Sequence, residues 1–144
     1  MKDRYAKEPV LEVLQRQRAD GTIERLKLIE VRAKVHYPRI RVREIWRQES
    51  ATGAFQLLRQ ESVVADHLMV RLKPGIPLPQ VRELARALGA EVLTPPQTTA
   101  MNSPFLLVAF DGNDLSAMDR IGEALRRQPE FTAVSPDSIA WIAD

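Results

Sequence analysis

Cysteine is absent from the 144 residues. That excludes disulfides, thiolate nucleophiles and cysteine-bound zinc, and leaves the compartment open, because many secreted proteins also do without cysteine. Histidine occurs only twice, at His36 and His67. One falls in an expected strand and the other at a strand start, far apart in the chain, so both read as structural residues rather than as ligands or bases. No G-x-S-x-G nucleophile motif, no glycine-rich phosphate loop and no acidic calcium loop is present. Asp111-Gly112-Asn113-Asp114 lacks the spacing and closing glutamate of such a loop and reads as a turn followed by a helix cap. No apolar run approaches the ~18 residues that a membrane span needs. The first eight residues, Met1 to Glu8, contain no apolar core of a signal peptide. No catalytic constellation, metal site or cofactor is expected, so function is sought in binding.

What is present suits a folded protein. Hydrophobic residues make up 44% of the chain, close to the globular norm. The net charge of +2 is unevenly spread. Residues 1–65 hold 14 Lys/Arg against 9 Asp/Glu, and residues 66–144 hold 7 against 10. A basic first half and an acidic second half suggest two units, 1–65 and 66–144.

The first half reads as an antiparallel β meander. Val10-Leu11-Glu12-Val13-Leu14 is a first strand, and Asp20-Gly21 between apolar runs signals a hairpin. Ile23 to Val35 reads as one long strand whose alternation slips near Ile29-Glu30, which predicts a bulge there. Arg39-Ile40-Arg41-Val42-Arg43 alternates at period two and continues through Trp46. Phe55 to Val64 is the fourth strand. The arginine stripe Arg39, Arg41, Arg43 poses a nucleic-acid reading. It lacks interleaved aromatics for base stacking, and Glu12, Glu24, Glu30 and Glu44 on neighbouring strands offer partners. A solvated, edge-guarding face is therefore the preferred reading.

The second half gives strand, helix, strand, strand, helix, strand. Leu68, Val70 and Leu72 share one face of the first strand. Val81, Leu84, Ala85 and Leu88 form a helical stripe, entered through Pro79 and closed by Gly89. Phe105 to Phe110 is apolar on both faces, as in a covered central strand. Asn113 or Asp114 is expected to cap a helix whose buried side is Leu115, Met118, Ile121 and Leu125. Phe131 to Val134 is the last strand. The expected fold is α+β: a ferredoxin-like split βαβ sandwich (βαββαβ) preceded by the β meander.

His67-Leu68-Met69-Val70-Arg71-Leu72-Lys73-Pro74-Gly75 resembles the opening strand of subtilisin-like protease propeptides. Leu88-Gly89-Ala90-Glu91-Val92 resembles the close of their first helix, and Leu107-Val108-Ala109-Phe110 their third strand. Gln128-Pro129-Glu130-Phe131-Thr132-Ala133-Val134-Ser135-Pro136-Asp137 is similar to their ending, with Ser135 where the family commonly has an acid. The resemblance covers Asp66–Asp144 and leaves residues 1–65 unmatched. It implies a non-enzymatic chaperone and inhibitor of a subtilisin-like serine protease, joined to it or separate, within an exported precursor. The tail Ile139, Ala140, Trp141, Ile142, Ala143 and Asp144 would then lie in the protease cleft as an added strand. Trp141 is bulky for that role, and a plain terminal strand is the alternative. The rival functions are a structural or oligomerisation module, including a homodimer, and a nucleic-acid module using the arginine stripe.

Overall fold

The computed structural model describes residues 2–31, 39–51, 53–93 and 105–139. Half of them lie in strands and 17% in helices. The elements are β1 (Val10–Gln17), β2 (Ile23–Glu30), β3 (Arg39–Gln48), β4 (Phe55–Leu72), α1 (Leu78–Ala87), β5 (Glu91–Leu93), β6 (Phe105–Ala109), α2 (Ala117–Arg126) and β7 (Phe131–Ser138). The strands join in one seven-stranded sheet in the order β1-β2-β3-β4-β6-β5, with β7 paired to β4.

This corrects the expected fold class. The protein is mostly antiparallel β with two helices on a single sheet, and it is not a ferredoxin-like α+β sandwich set behind a separate meander. The physical reason lies in β4. The sequence reading placed one strand at Phe55–Val64 and another at His67–Lys73. Neither proline nor glycine interrupts the stretch between them, and the two run together as one strand of 18 residues. Backbone contacts divide the chain into two compact units, one reaching Ala65 and including the chain from Ser138 onward, the other Asp66–Asp137.

In the first unit, β1 and β2 form the expected hairpin. Gly21 takes the left-handed φ of 84° that favours glycine, and Asp20 Oδ1 accepts the Thr22 N–H at 3.0 Å. The expected bulge in β2 does not occur. Register shifts fall instead at Val10/Glu12, with the extra residue in β1, and opposite Ile45/Trp46, where the partners Arg59 and Leu57 leave the extra residue in β4. Adjacent Leu28 and Ile29 are both buried, because both faces of β2 are covered there. Ile29 belongs to a cluster with Tyr5, Val31, Ile40 and Val42, against which Ile139 packs. Tyr5 donates its hydroxyl to Ser62 Oγ at 2.8 Å. The N-terminal segment thus lays an aromatic side chain on the sheet, a contact that no local pattern announces.

On the same face lies a buried carboxylate. Glu44 is fully buried and accepts from Lys27 Nζ at 3.0 Å, Trp46 Nε1 at 3.1 Å and Gln60 Nε2 at 2.8 Å. Gln60 also donates to Asp3 Oδ1 at 2.8 Å. Three donors offset the desolvation of a charge that would otherwise oppose folding.

In the second unit, Leu68 faces Val108 and Val70 faces Leu106 across the β4–β6 pairing, and Val92 faces Val108 across β5–β6. All five are buried. Helix α2 covers this face: a side chain added at Gly122 would meet Leu68 Cδ1 at 3.4 Å. On α1, Val81 and Ala85 are fully buried. Gly89, with φ 78°, ends that helix with Ala90 N–H on Ala85 O at 2.8 Å and its own N–H on Arg86 O at 3.0 Å, a Schellman closure. Ser116 stands at the N-cap position of α2 but makes no side-chain cap bond; of the two expected residues, Asp114 supplies the carboxylate at the helix start. It organises the preceding turn, accepting the Ser116 N–H at 3.0 Å.

The expectation that β6 is covered on both faces is also corrected. Leu106 and Val108 are buried, whereas Leu107 is half-buried and Phe105 is 47% exposed, with the Arg71 guanidinium 5.6 Å from the Phe105 ring centre. We therefore expect Val108→Asp to abolish cooperative unfolding of the second unit, or to cost more than about 3 kcal/mol. Leu107→Asp should cost distinctly less. Urea melts of both variants check this, and equal losses would refute the one-sided burial.

Candidate functional site

The most unusual surface among the described residues is β1. Among the described residues it ends the strand order and pairs only with β2. Val10, Leu11, Val13 and Leu14 are 48%, 48%, 50% and 55% exposed. The pairing register places Val10 and Val13 beside Ile29 and Lys27 on one face, and Leu14 beside Leu26 on the other. Apolar surface is therefore exposed on both faces of the strand. Arg18 N–H donates to Thr22 O at 2.8 Å. Strict antiparallel alternation then turns the N–H and C=O groups of Val13, Gln15 and Gln17 away from β2. These outward groups lie on the regular part of the strand, beyond the shift at Val10/Glu12.

One face of the first unit carries a run of alternating charges. Arg16 lies 2.9 Å from Glu24, and Glu24 lies 2.7 Å from Arg43. Arg43 lies 3.7 Å from Glu61, which Arg59 also pairs. The run crosses β1, β2, β3 and β4 and ends at the edge on Arg16, whose side chain is 74% exposed. Burial alone would raise the Glu24 carboxyl, but the Arg43 hydrogen bond and the charges of Arg43 and Arg16 outweigh it and hold it below its ordinary range. The arginine stripe is thus drawn into ion pairs. Arg43 is bound to two carboxylates, and Arg39 and Arg41 have contacts of their own. Of the glutamates expected to meet the stripe, Glu24 does so, while Glu44 serves Lys27 on the opposite face.

The second notable pair was not legible in sequence. His67 is 1% exposed and its Nε2 lies 2.8 Å from Asp137 Oδ2, with Asp66 Oδ1 4.0 Å from Nδ1. Seventy residues separate His67 from Asp137, so only the pairing of β7 with β4 brings them together. Further along, Lys73 N–H donates to Glu130 O at 2.9 Å. An imidazole and a carboxylate in contact are two parts of an acid–base apparatus. Here the ring is buried and its carboxylate partner is 34% exposed, and the pair fastens two strands. His36 lies outside the described residues. Among the described residues no group of three or more His, Cys, Asp or Glu side chains could hold a metal ion, and no helix is long and apolar enough to cross a membrane.

Of the six tail residues expected to bind a protease, Ile139 is described. Its N–H donates to Ser62 O at 2.9 Å and its side chain packs on the Tyr5 cluster. Ala140, Trp141, Ile142, Ala143 and Asp144 lie outside the described residues. No protein-family model, no curated protein and no solved structure matches the chain.

Two outcomes are expected. Asp137→Ala removes the 2.8 Å contact to Nε2 of a buried imidazole and should lower the stability of the second unit by about 1–3 kcal/mol, read by urea unfolding. Glu24 has a lowered folded-state pKa, so its stabilising contribution is present above the unfolded value and lost as pH falls through the folded one. The stability gap between the natural protein and Glu24→Gln should therefore be full near neutrality and close progressively below about pH 4.3, the ordinary glutamate range. A gap that is independent of pH would show that the arginines do not grip the charged form.

Proposed function

We propose that the protein is a binding module that accepts a partner β-strand along the outer edge of β1. The supporting observation is the half-exposure of Val10, Leu11, Val13 and Leu14 on both faces of an edge strand. A partner resting on one face of the sheet would leave the other face's apolar groups in water. A strand added alongside shields both faces, because its own side chains alternate above and below. It also takes up the outward N–H and C=O groups of Val13, Gln15 and Gln17, the mode of recognition in which main-chain bonds supply affinity and flanking side chains supply specificity. Edge strands in monomeric proteins are commonly guarded by lysine or proline, and Val10–Gln17 contains neither.

Inhibition of a subtilisin-like protease would act through a different element, the C-terminal tail. That reading requires Ile139 to leave Ser62 and the Tyr5 cluster, or the tail beyond it to work alone. The β1 reading needs no such rearrangement.

The test is selection from a displayed library of extended peptides against the protein held at nanomolar concentration. Selected peptides are expected to shift the amide resonances of Val13, Gln15 and Gln17 and to lose binding at least about tenfold in Val13→Pro. Proline there removes an outward N–H that β2 does not use, so the hairpin survives. Binders that leave those amides unmoved, or no binders at all, would overturn the proposal.

A further inference from the structure

Resting on the strand-addition reading, we infer that the occupant of the β1 edge is β1 of a second copy of this chain, paired antiparallel about a two-fold axis at Leu14. The inference comes from how the charge run ends. Reading from Arg59 outward to the edge, the signs alternate: Arg59, Glu61, Arg43, Glu24, Arg16. At the edge the run ends on a cation whose side chain is 74% exposed, so the next strand should present an anion at that point.

β1 itself supplies one. The outward backbone groups belong to Val13, Gln15 and Gln17, so a second copy can pair only in registers that set odd residues against odd ones. A two-fold axis at Leu14 places Val13 opposite the second copy's Gln15 and Leu14 opposite the second copy's Leu14. Glu12 then stands opposite the second copy's Arg16, and Arg16 opposite its Glu12. Glu12, Leu14 and Arg16 lie on the face that carries Glu24, as their pairing with Leu28, Leu26 and Glu24 shows. The alternation of charge therefore continues across the axis without a break, and twice, as a two-fold interface requires. The two Leu14 side chains, each 55% exposed in the single chain, meet at the centre. Shifting the axis by one residue to Gln15 would put Arg16 opposite Leu14 and lose both ion pairs, which is why the Leu14 register is chosen.

Charge reversal tests this without depending on whether a hydrophobic variant folds. Sedimentation equilibrium of the natural protein at low salt should show a dimer that weakens as salt is raised. Glu12→Arg places arginine against arginine at both pairs, and Arg16→Glu places glutamate against glutamate. Each variant alone should dimerise at least about tenfold more weakly. Mixing the two restores an arginine–glutamate pair at both positions, so the mixture should form a heterodimer of near-natural affinity. Loss of association in both single variants with no recovery on mixing would overturn the Leu14 register. A natural protein that stays monomeric at millimolar concentration, while β1 still selects peptides, would overturn the second-copy inference and leave the strand-addition reading standing. Monomer behaviour together with failure of the peptide selection would remove both.

Discussion

Every backbone N–H and C=O that leaves water must find a partner, and a strand of 18 residues carries that demand along its whole length. β4 meets it by changing neighbours. Ile40 to Gln48 of β3 pair with Phe55 to Val64, and Phe105 to Ala109 of β6 pair with His67 to Arg71. The Phe110 N–H on Asp66 O, at 2.9 Å, closes the ladder at the point where the pairing changes hands. Beyond the irregularity opposite Ile45/Trp46, side chains alternate along the strand, so the register set at one pair fixes which residues share a face at the next. In the second unit Leu68 and Val70 are thereby assigned to the helix-covered face, and His67 to the face where Asp137 arrives.

The polar groups of the first unit follow from the same alternation. Even-numbered residues of β3 place Ile40, Val42 and Glu44 on the Tyr5 face, and odd-numbered ones place Arg39, Arg41 and Arg43 on the other. The two faces solve the charge problem differently. On the Tyr5 face a fully buried carboxylate is held by an ammonium, an indole N–H and an amide. Removing one member of such a group leaves an uncompensated charge and costs several kcal/mol, even where the intact group adds little net stability. On the other face the arginines are half-exposed and their pairs with Glu61 are worth at most about 1 kcal/mol each. Glu24 is the exception, being buried between two arginines. The first network therefore fixes where the N-terminal segment lies, through Gln60 and Asp3. The second mainly keeps like charges apart and sets a sign at the sheet edge.

How much of this could be read from the chain depends on the range of the interaction. The hairpin at Asp20-Gly21, the burial of Val81 and Ala85 with the Gly89 closure, and the burial of Leu115, Met118 and Leu125 are all encoded within one or two turns of sequence and appear where the local pattern puts them, whereas Ile121 is half-buried and Gly122 takes the buried position beside it. The continuity of β4 was missed because a change of pairing partner has no local signature. A boundary at Asp66 is suggested by the change of net charge between the two halves and by where the resemblance begins, and neither bears on whether the strand continues. The His67–Asp137 contact and the seating of Tyr5 against Ser62 join residues 70 and 57 positions apart, beyond the reach of periodicity. A bulge is expected in β2 because the apolar alternation changes phase near Ile29-Glu30, from Leu26 and Leu28 to Val31, and Leu28 and Ile29 are adjacent there. Adjacent apolar residues can equally mean a strand covered on both sides, and only the position of Tyr5 and its neighbours decides between the two.

The same ambiguity hid β1. Val10-Leu11-Glu12-Val13-Leu14 reads as an ordinary buried strand, and composition alone would put it in a core. At the end of the sheet, with a single neighbour among the described strands, it is left half-exposed on both faces. Bulges and inward charges are the usual means by which an edge refuses further pairing. The register shift at Val10/Glu12 occupies only the start of β1 and leaves Glu12 to Gln17 in unbroken register with β2. Glu12 and Arg16 flank Leu14 at equal distance with opposite signs. Two like charges there would repel any antiparallel copy of the strand, whereas opposite charges placed symmetrically about an apolar residue are complementary to their own reversal. A strand with that pattern would discriminate among incoming strands by register and sign, the property that the proposed pairing of two copies requires.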